Sequence, residues 1–208
     1  MAGKPAEALP ELESARSLLE DVARAGPTVP EYREFLAIVL NAGGGALRDL
    51  GRPGEARDRH ARAVAFTEGL ASAYPKVPAS RARQADGLRR LAGLELEAGD
   101  AAGAVADARR AVGLLEGLPA RDARQWFSLA CARATLAAAA GRDGSGPSTA
   151  EASGLADRAI DDLRRAAAMG YRSPAAYRYE PALAPLRGRD DFRDLIRDLD
   201  FPAEPLAR

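Results

Sequence analysis

A 48-residue interval runs through this chain and narrows what it can fold into more than any other feature. Gly51-Arg52-Pro53-Gly54-Glu55-Ala56 returns as Gly99-Asp100-Ala101-Ala102-Gly103-Ala104, Ala63-Val64 returns as Ala111-Val112, and Val29-Pro30 returns as Val77-Pro78. Small residues that come back at a fixed interval mark equivalent helix–helix contacts in a stacked array, where each unit buries its apolar face only against its neighbours. Hydrophobic residues make up 47% of the chain but aromatics only 5%, so the array must be built by close approach of helices rather than by large side chains. Such an array makes surface rather than chemistry.

Within the interval the apolar spacing is helical, and the alternation of a strand is absent. Between Pro30 and Leu50 the apolar residues are Tyr32, Phe35, Leu36, Val39, Leu40, Ala46, Leu47 and Leu50, and Gly51 ends the run. The partner helix starts near Gly54 and points Ala56, His60, Ala63, Val64, Leu70 and Tyr74 inward, which gives a first pair over 30–74. A second pair covers 78–117 and turns at Gly99-Asp100; a third covers 120–168, split by a Gly/Ser-rich loop over 141–150 that offers no core residue. Residues 10–25 place Ala15, Leu18, Leu19 and Val22 in the register of the helix after Gly54, as an orphan second-type helix. Either the chain is cut from a longer one, the preferred reading, or this helix is an N-terminal cap. The expectation is an all-α, right-handed solenoid over 1–170 with a capping segment and tail over 171–208. In that segment Leu183 and Leu186 occupy a Pro-bracketed turn, and Phe192, Leu195, Ile196 and Leu199 line a short helix beginning near Asp190. A terminal repeat needs a cap of this kind to keep its apolar face from water.

The repeat positions resemble the tetratricopeptide (TPR) frame of large residues in the first helix, Gly at the turn and small residues in the second. They are Leu40, Gly44, Leu47, Gly51, Ala56, His60 and Ala63; then Leu88, Leu91, Ala92, Gly99, Ala104, Ala108 and Ala111; then Trp126, Leu129, Ala130, Ala159, Leu163 and Ala166. The interval exceeds that family's usual length of about 34 residues, so both helices are lengthened. Where the family places an aromatic in the second helix, this chain has His60 and then Ala108. The C-terminus carries a narrower likeness, in Trp126-Phe127-Ser128-Leu129-Ala130-Cys131-Ala132, Gly170-Tyr171-Arg172, Glu180-Pro181-Ala182-Leu183-Ala184-Pro185-Leu186-Arg187, Asp191-Phe192, Leu195 and Phe201-Pro202-Ala203. It is similar to the end of the TPR region in large bacterial Hanks-type serine/threonine kinases, although Glu180-Pro181 stands where those have Asp-Pro and Arg133 where they have Tyr. The resemblance implies a C-terminal sensor or docking region whose kinase domain lies upstream. A free-standing adaptor that self-associates or binds a peptide in its groove is the alternative.

The residues themselves suggest no catalytic centre. No kinase motif is present, and Gly43-Gly44-Gly45 lies inside a helical pattern without the Lys-Ser/Thr of a phosphate loop, which favours close packing there. His60 occupies a packing position without a nucleophile or acid partner in the nearby sequence, and Cys131 lies in an alanine-rich helix without a base. Asp161-Asp162 and Asp190-Asp191 are neighbours that point about 100° apart on a helix, unsuited to sharing a proton or metal. Asp190-Asp191 suits a helix N-terminus instead. The arginine pairs 89–90, 109–110 and 164–165 read mostly as solvated faces. Neither a cofactor nor a metal site is expected.

What remains is the groove that the first helix of each pair lines in TPR stacks. By that resemblance its residues are Asn41, Gly45 and Arg48, then Asp86, Arg89 and Gly93, then Arg124, Phe127 and Cys131. Arg89 would take a ligand carboxylate, Asn41 a backbone amide and Phe127 an apolar side chain. Lys+Arg and Asp+Glu both number 30, which argues against nucleic acid. The expected partner is a protein or peptide, with homo-oligomerisation open; the absence of a membrane-span pattern, of a signal-peptide pattern and of a second cysteine points to the cytoplasm.

Overall fold

Two glycines in left-handed backbone set the joints of the array. In the computed structural model, which describes residues 4–26, 29–74, 77–142 and 144–201, Gly51 and Gly99 have φ of 73° and 86°. The next amide reaches back to a carbonyl five residues earlier, Arg52 N to Leu47 O and Asp100 N to Glu95 O, at 2.9 Å in both. A residue with a Cβ would be strained in the conformation that closes the helix this way.

The helix starts follow from the sequence as directly. Helices α1 (Pro5–Ala25), α2 (Pro30–Asp49), α3 (Pro53–Ala73) and α4 (Pro78–Glu97) all begin on proline, whose missing N–H is no loss in a first turn. Asp100 caps α5 (Ala101–Glu116). Reciprocal capping boxes, Asp122 with Gln125 and Ser148 with Glu151, open α6 (Ala123–Ala138) and α7 (Thr149–Ala168).

Each helix from α1 to α7 packs on the next, and α4 also touches α2 and α6, so the first helices of successive pairs lie side by side. The protein is an all-α, solenoid-like array, with no strand among the described residues. The interval is visible in side chains too. Glu20 of α1 bridges to Arg62 of α3 at 2.7 Å, and one interval later Glu68 of α3 bridges to Arg110 of α5 at 2.9 Å. Helix α1 thus stands to α3 as α3 stands to α5, as its register predicts. It begins earlier than expected, at Pro5, with Pro10 inside it, and none of its residues is fully buried.

Alanine crossings supply much of the core, as the composition requires: Ala37, Ala56, Ala85, Ala92, Ala104, Ala108 and Ala111 are at most 1% exposed. Three apolar residues assigned to the inner faces lie outside instead. Phe35, Leu50 and Tyr74 are exposed, because a helical stripe wider than its neighbour leaves its margin in water. Conversely Pro147, in the Gly/Ser-rich loop, is buried.

The capping segment consists of a short helix α8 (Pro174–Tyr179), a 3₁₀ helix (Pro181–Leu186) and α9 (Asp190–Asp200). Helix α8 is the element that the sequence reading lacks. Tyr177, Leu183, Leu186, Phe192, Leu195 and Leu199 bury against Ala130, Cys131, Ala159, Ile160 and Leu163 of α6 and α7, with Ile196 half-buried at the margin. Tyr177 also donates its hydroxyl to the carbonyls of Tyr171, at 2.8 Å, and Leu163. Asp190 and Asp191 lie in the first turn of α9, as expected. Among the described residues no helix is long and apolar enough to cross a membrane.

Candidate ligand groove on the first helices

The stripe of α2 that spacing places away from α3 is Ile38, Ala42, Gly45 and Asp49. With the start of α1 and the first turns of α4 and α6, it walls a groove of about 750 Å³. Asn41, Asp86 and Arg124, three of the residues expected to bind a ligand, line it. Its floor is apolar and small, with Leu12, Ile38, Ala42, Ala46, Ala79 and Ala82; its wall mixes charges, with Arg83, Arg90 and Arg124 against Asp49, Asp86 and Asp122. Asn41 and Asp86 were expected here; Ile38 and Ala42 on the same face, and Arg83 and Arg90 beside them, were not. Their signal was present, since positions 38, 42, 45 and 49 continue one helical stripe.

Asn41 is not free to hold a ligand amide. It is 9% exposed, and its Oδ1 lies 2.9 Å from His60 Nδ1. The imidazole in turn fills space that only a glycine leaves: a Cβ on Gly44 would fall 2.6 Å from His60 Cε1. The close-packing role expected of Gly43-Gly44-Gly45 therefore belongs to Gly44. Burial first, and the positive charge of Arg90 second, lower the His60 pKa to about 3, so the ring is neutral at physiological pH. The structural role expected of His60 fits this setting.

Arg89 corrects the expectation more sharply. Although it was grouped with solvated arginines and offered to a ligand carboxylate, it is 5% exposed and already holds carboxylates of its own chain. Its Nε donates to Asp86 Oδ1 at 2.8 Å and to Ser128 Oγ at 3.3 Å, and its Nη1 lies 3.6 Å from Glu180 Oε2 of the capping segment. Burial alone would raise the Asp86 carboxyl, but the Arg89 and Arg90 guanidiniums hold it well below the usual range. Phe127 is likewise spent. It is 3% exposed, and its ring meets those of Tyr171 and Tyr177 at centroid distances of 4.7 and 5.2 Å. The capping segment thus supplies the carboxylate and the apolar side chains that Arg89 and Phe127 were expected to take from a partner.

Cys131 is fully buried against the cap, and burial pushes its thiol far above the ordinary range. Asp162 is buried and pairs with Arg133, while Asp161 faces solvent, which separates the adjacent carboxylates as helix geometry requires. Arg48 does not line the groove. It stands with Arg89 and Arg90 around a second, smaller cavity under α8. Arg124 is exposed at the groove's far wall and makes no hydrogen bond or ion pair with the described residues.

Compared with known proteins, the chain matches no family model and no curated sequence.

Proposed function

We propose that this chain is a non-catalytic interaction module that holds a protein or peptide segment in the groove between α1, α2, α4 and α6. The observation that carries this reading is the groove itself: about 750 Å³ of open space, floored by small apolar residues and walled by charged side chains of both signs. Concave faces of helical arrays bind peptides by laying apolar side chains on such a floor and fixing them with a few polar groups. The buried settings of His60 and Cys131, the two residues best suited to proton transfer or nucleophilic attack, support the non-catalytic half of the reading. The likeness of residues 126–132 and 170–203 to the end of bacterial serine/threonine kinases supports a sensor or docking role in a cytoplasmic signalling protein of that kind.

Arg89→Glu does not test the groove, since it would break a buried ion pair. Ala42→Trp does, because Ala42 is exposed on the floor and a ring there fills the groove without touching the core. Peptides selected from a displayed library on the wild type are expected to bind Ala42→Trp about tenfold or more weaker. Equal binding to both proteins, or phosphotransfer by this chain alone, would remove the proposal.

A further inference from the structure

The cavity under α8 is walled by Arg48, Arg89, Arg90, Tyr179 and Glu180, with His60 behind it, and encloses about 240 Å³. Two glycines one interval apart make the room. Gly45 and Gly93 both line it; a Cβ on Gly93 would meet nothing within 4 Å, and one on Gly45 only the Arg90 Nη1, at 3.9 Å.

The three guanidiniums are only partly used by the protein. Arg90 donates its Nε to Asp86 at 3.0 Å, and among the described residues neither of its terminal nitrogens has a hydrogen-bond partner. Arg48 gives one terminal nitrogen to Glu97, outside the cavity. Among the described residues the Arg89 Nη1 has only the long contact with Glu180. Two carboxylates also line the space, Glu180 from the cap and Asp49 from α2, and Asp86 and Glu97 engage the same arginines from outside it, so an anion would be held by the unused donors rather than by net charge. Unused N–H donors on three converging arginines make a fork that fits a tetrahedral oxyanion, and arginine is the side chain best shaped for that task. All three guanidiniums act on His60 at the back of the cavity in the sense that lowers its pKa, and Asp86 opposes them.

We infer that this cavity binds phosphate, free or as a small phosphomonoester, through Arg48 and Arg90 with the Arg89 Nη1 as third donor. The anion would lie between α2, α4 and the cap, and would tie the cap to the array. The cavity adjoins the groove and shares Gly45, Asp49 and Arg90 with it, while Arg48, Arg89 and Tyr179 line the cavity alone, so Arg48→Gln is the variant that reads this site apart from the peptide groove.

The test is thermal unfolding of the whole chain with rising inorganic phosphate or phosphoserine at constant ionic strength, chloride replacing the anion. A ligand of the folded state raises the midpoint in a saturable way. Phosphate is expected to do so and chloride is not. Arg48→Gln and Arg90→Gln should each weaken the apparent affinity by about tenfold, as loss of a charged hydrogen bond does. Arg62→Gln, on an exposed pair elsewhere, should leave it unchanged. Saturation by phosphoserine as well as phosphate would assign the ester, and by phosphate alone the free anion. A midpoint that follows ionic strength only, or affinity unaltered in both cavity variants, would overturn the inference.

Discussion

Where the first helix pair sets His60 against Gly44, the second sets Ala108 against Ala92, the same two positions one interval later. Both arrangements are tightly closed, His60 at 2% exposure and both alanines at 0%. The interval therefore preserves a closed crossing rather than the identity or size of either residue, a bulky ring against no side chain in one pair and two methyl groups in the next. Two further positions diverge in consequence. Asn41, which pairs with His60, becomes Arg89, which pairs with Asp86 and the cap. Leu47, in the core of the first pair, becomes Glu95, whose Oε2 is buried without a hydrogen-bond partner. The first pair leaves its inner face open to a groove, while the second gives up part of its face to hold the chain's own end.

The largest expected effect breaks that difference at positions 41 and 89. Arg89→Ala removes one of the two guanidiniums on Asp86 and the contact with Glu180 of the cap, and should cost about 2–4 kcal/mol in denaturant unfolding. Asn41→Ala, one interval earlier, should cost about 1–2 kcal/mol. Equal losses would mean that the cap is not held through Arg89. Next comes Gly44→Ala. Helix propensity favours alanine by about 1 kcal/mol, yet the clash with His60 should leave a net loss of about 1–3 kcal/mol. Adding His60→Ala gives the first pair the alanine crossing of the second and should restore most of the stability. A neutral Gly44→Ala would deny the close approach.

The pairs should also titrate in opposite senses. The Glu95 carboxyl is raised from 4.5 to about 7 by burial and then by Asp107, so the folded state favours its protonated form. Its contribution is whole below pH 4.5 and is lost as pH rises to about 7. The His60 ring is lowered from 6.5 to about 3, so its contribution is whole above pH 6.5 and is lost as pH falls. Glu95→Leu, which copies Leu47, should stabilise the protein at pH 8 by on the order of 1–2 kcal/mol and flatten the neutral side of its pH–stability curve. A curve unchanged by the substitution would show that the carboxyl is hydrated. Smallest of all, Arg62→Gln and Arg110→Gln remove equivalent exposed bridges and should each cost under about 0.5 kcal/mol, Arg110 slightly the more because it also pairs with Asp107.

The array was legible in the sequence because its joints and crossings are local: Gly51 and Gly99, the prolines at helix starts, and the alanines at fixed spacing each act within a few residues. The start of α1 was misplaced because Pro10 reads as a boundary, although it lies in the second turn of the helix, which gives up a backbone hydrogen bond there. Helix α8 escaped because six residues carry too little periodicity to register. At the groove, spacing put Arg89 and Phe127 on the correct face, but a face says nothing of what returns to cover it. Glu180, Tyr171 and Tyr177 come back to these residues from the far end of the chain, a tertiary event that no short window contains.

The bridges Glu20–Arg62 and Glu68–Arg110 give the array a direction. Helix α3 offers a base backward and an acid forward, like a monomer with two complementary ends. The series stops at Glu116, the acid one interval after Glu68, which is taken instead by Arg133 of α6. Chain growth in this design is a head-to-tail condensation of helices, and Arg133 is its terminator. A copy of residues 53–100 spliced in after Asp100 would carry a base for the helix before it and an acid for the helix after it.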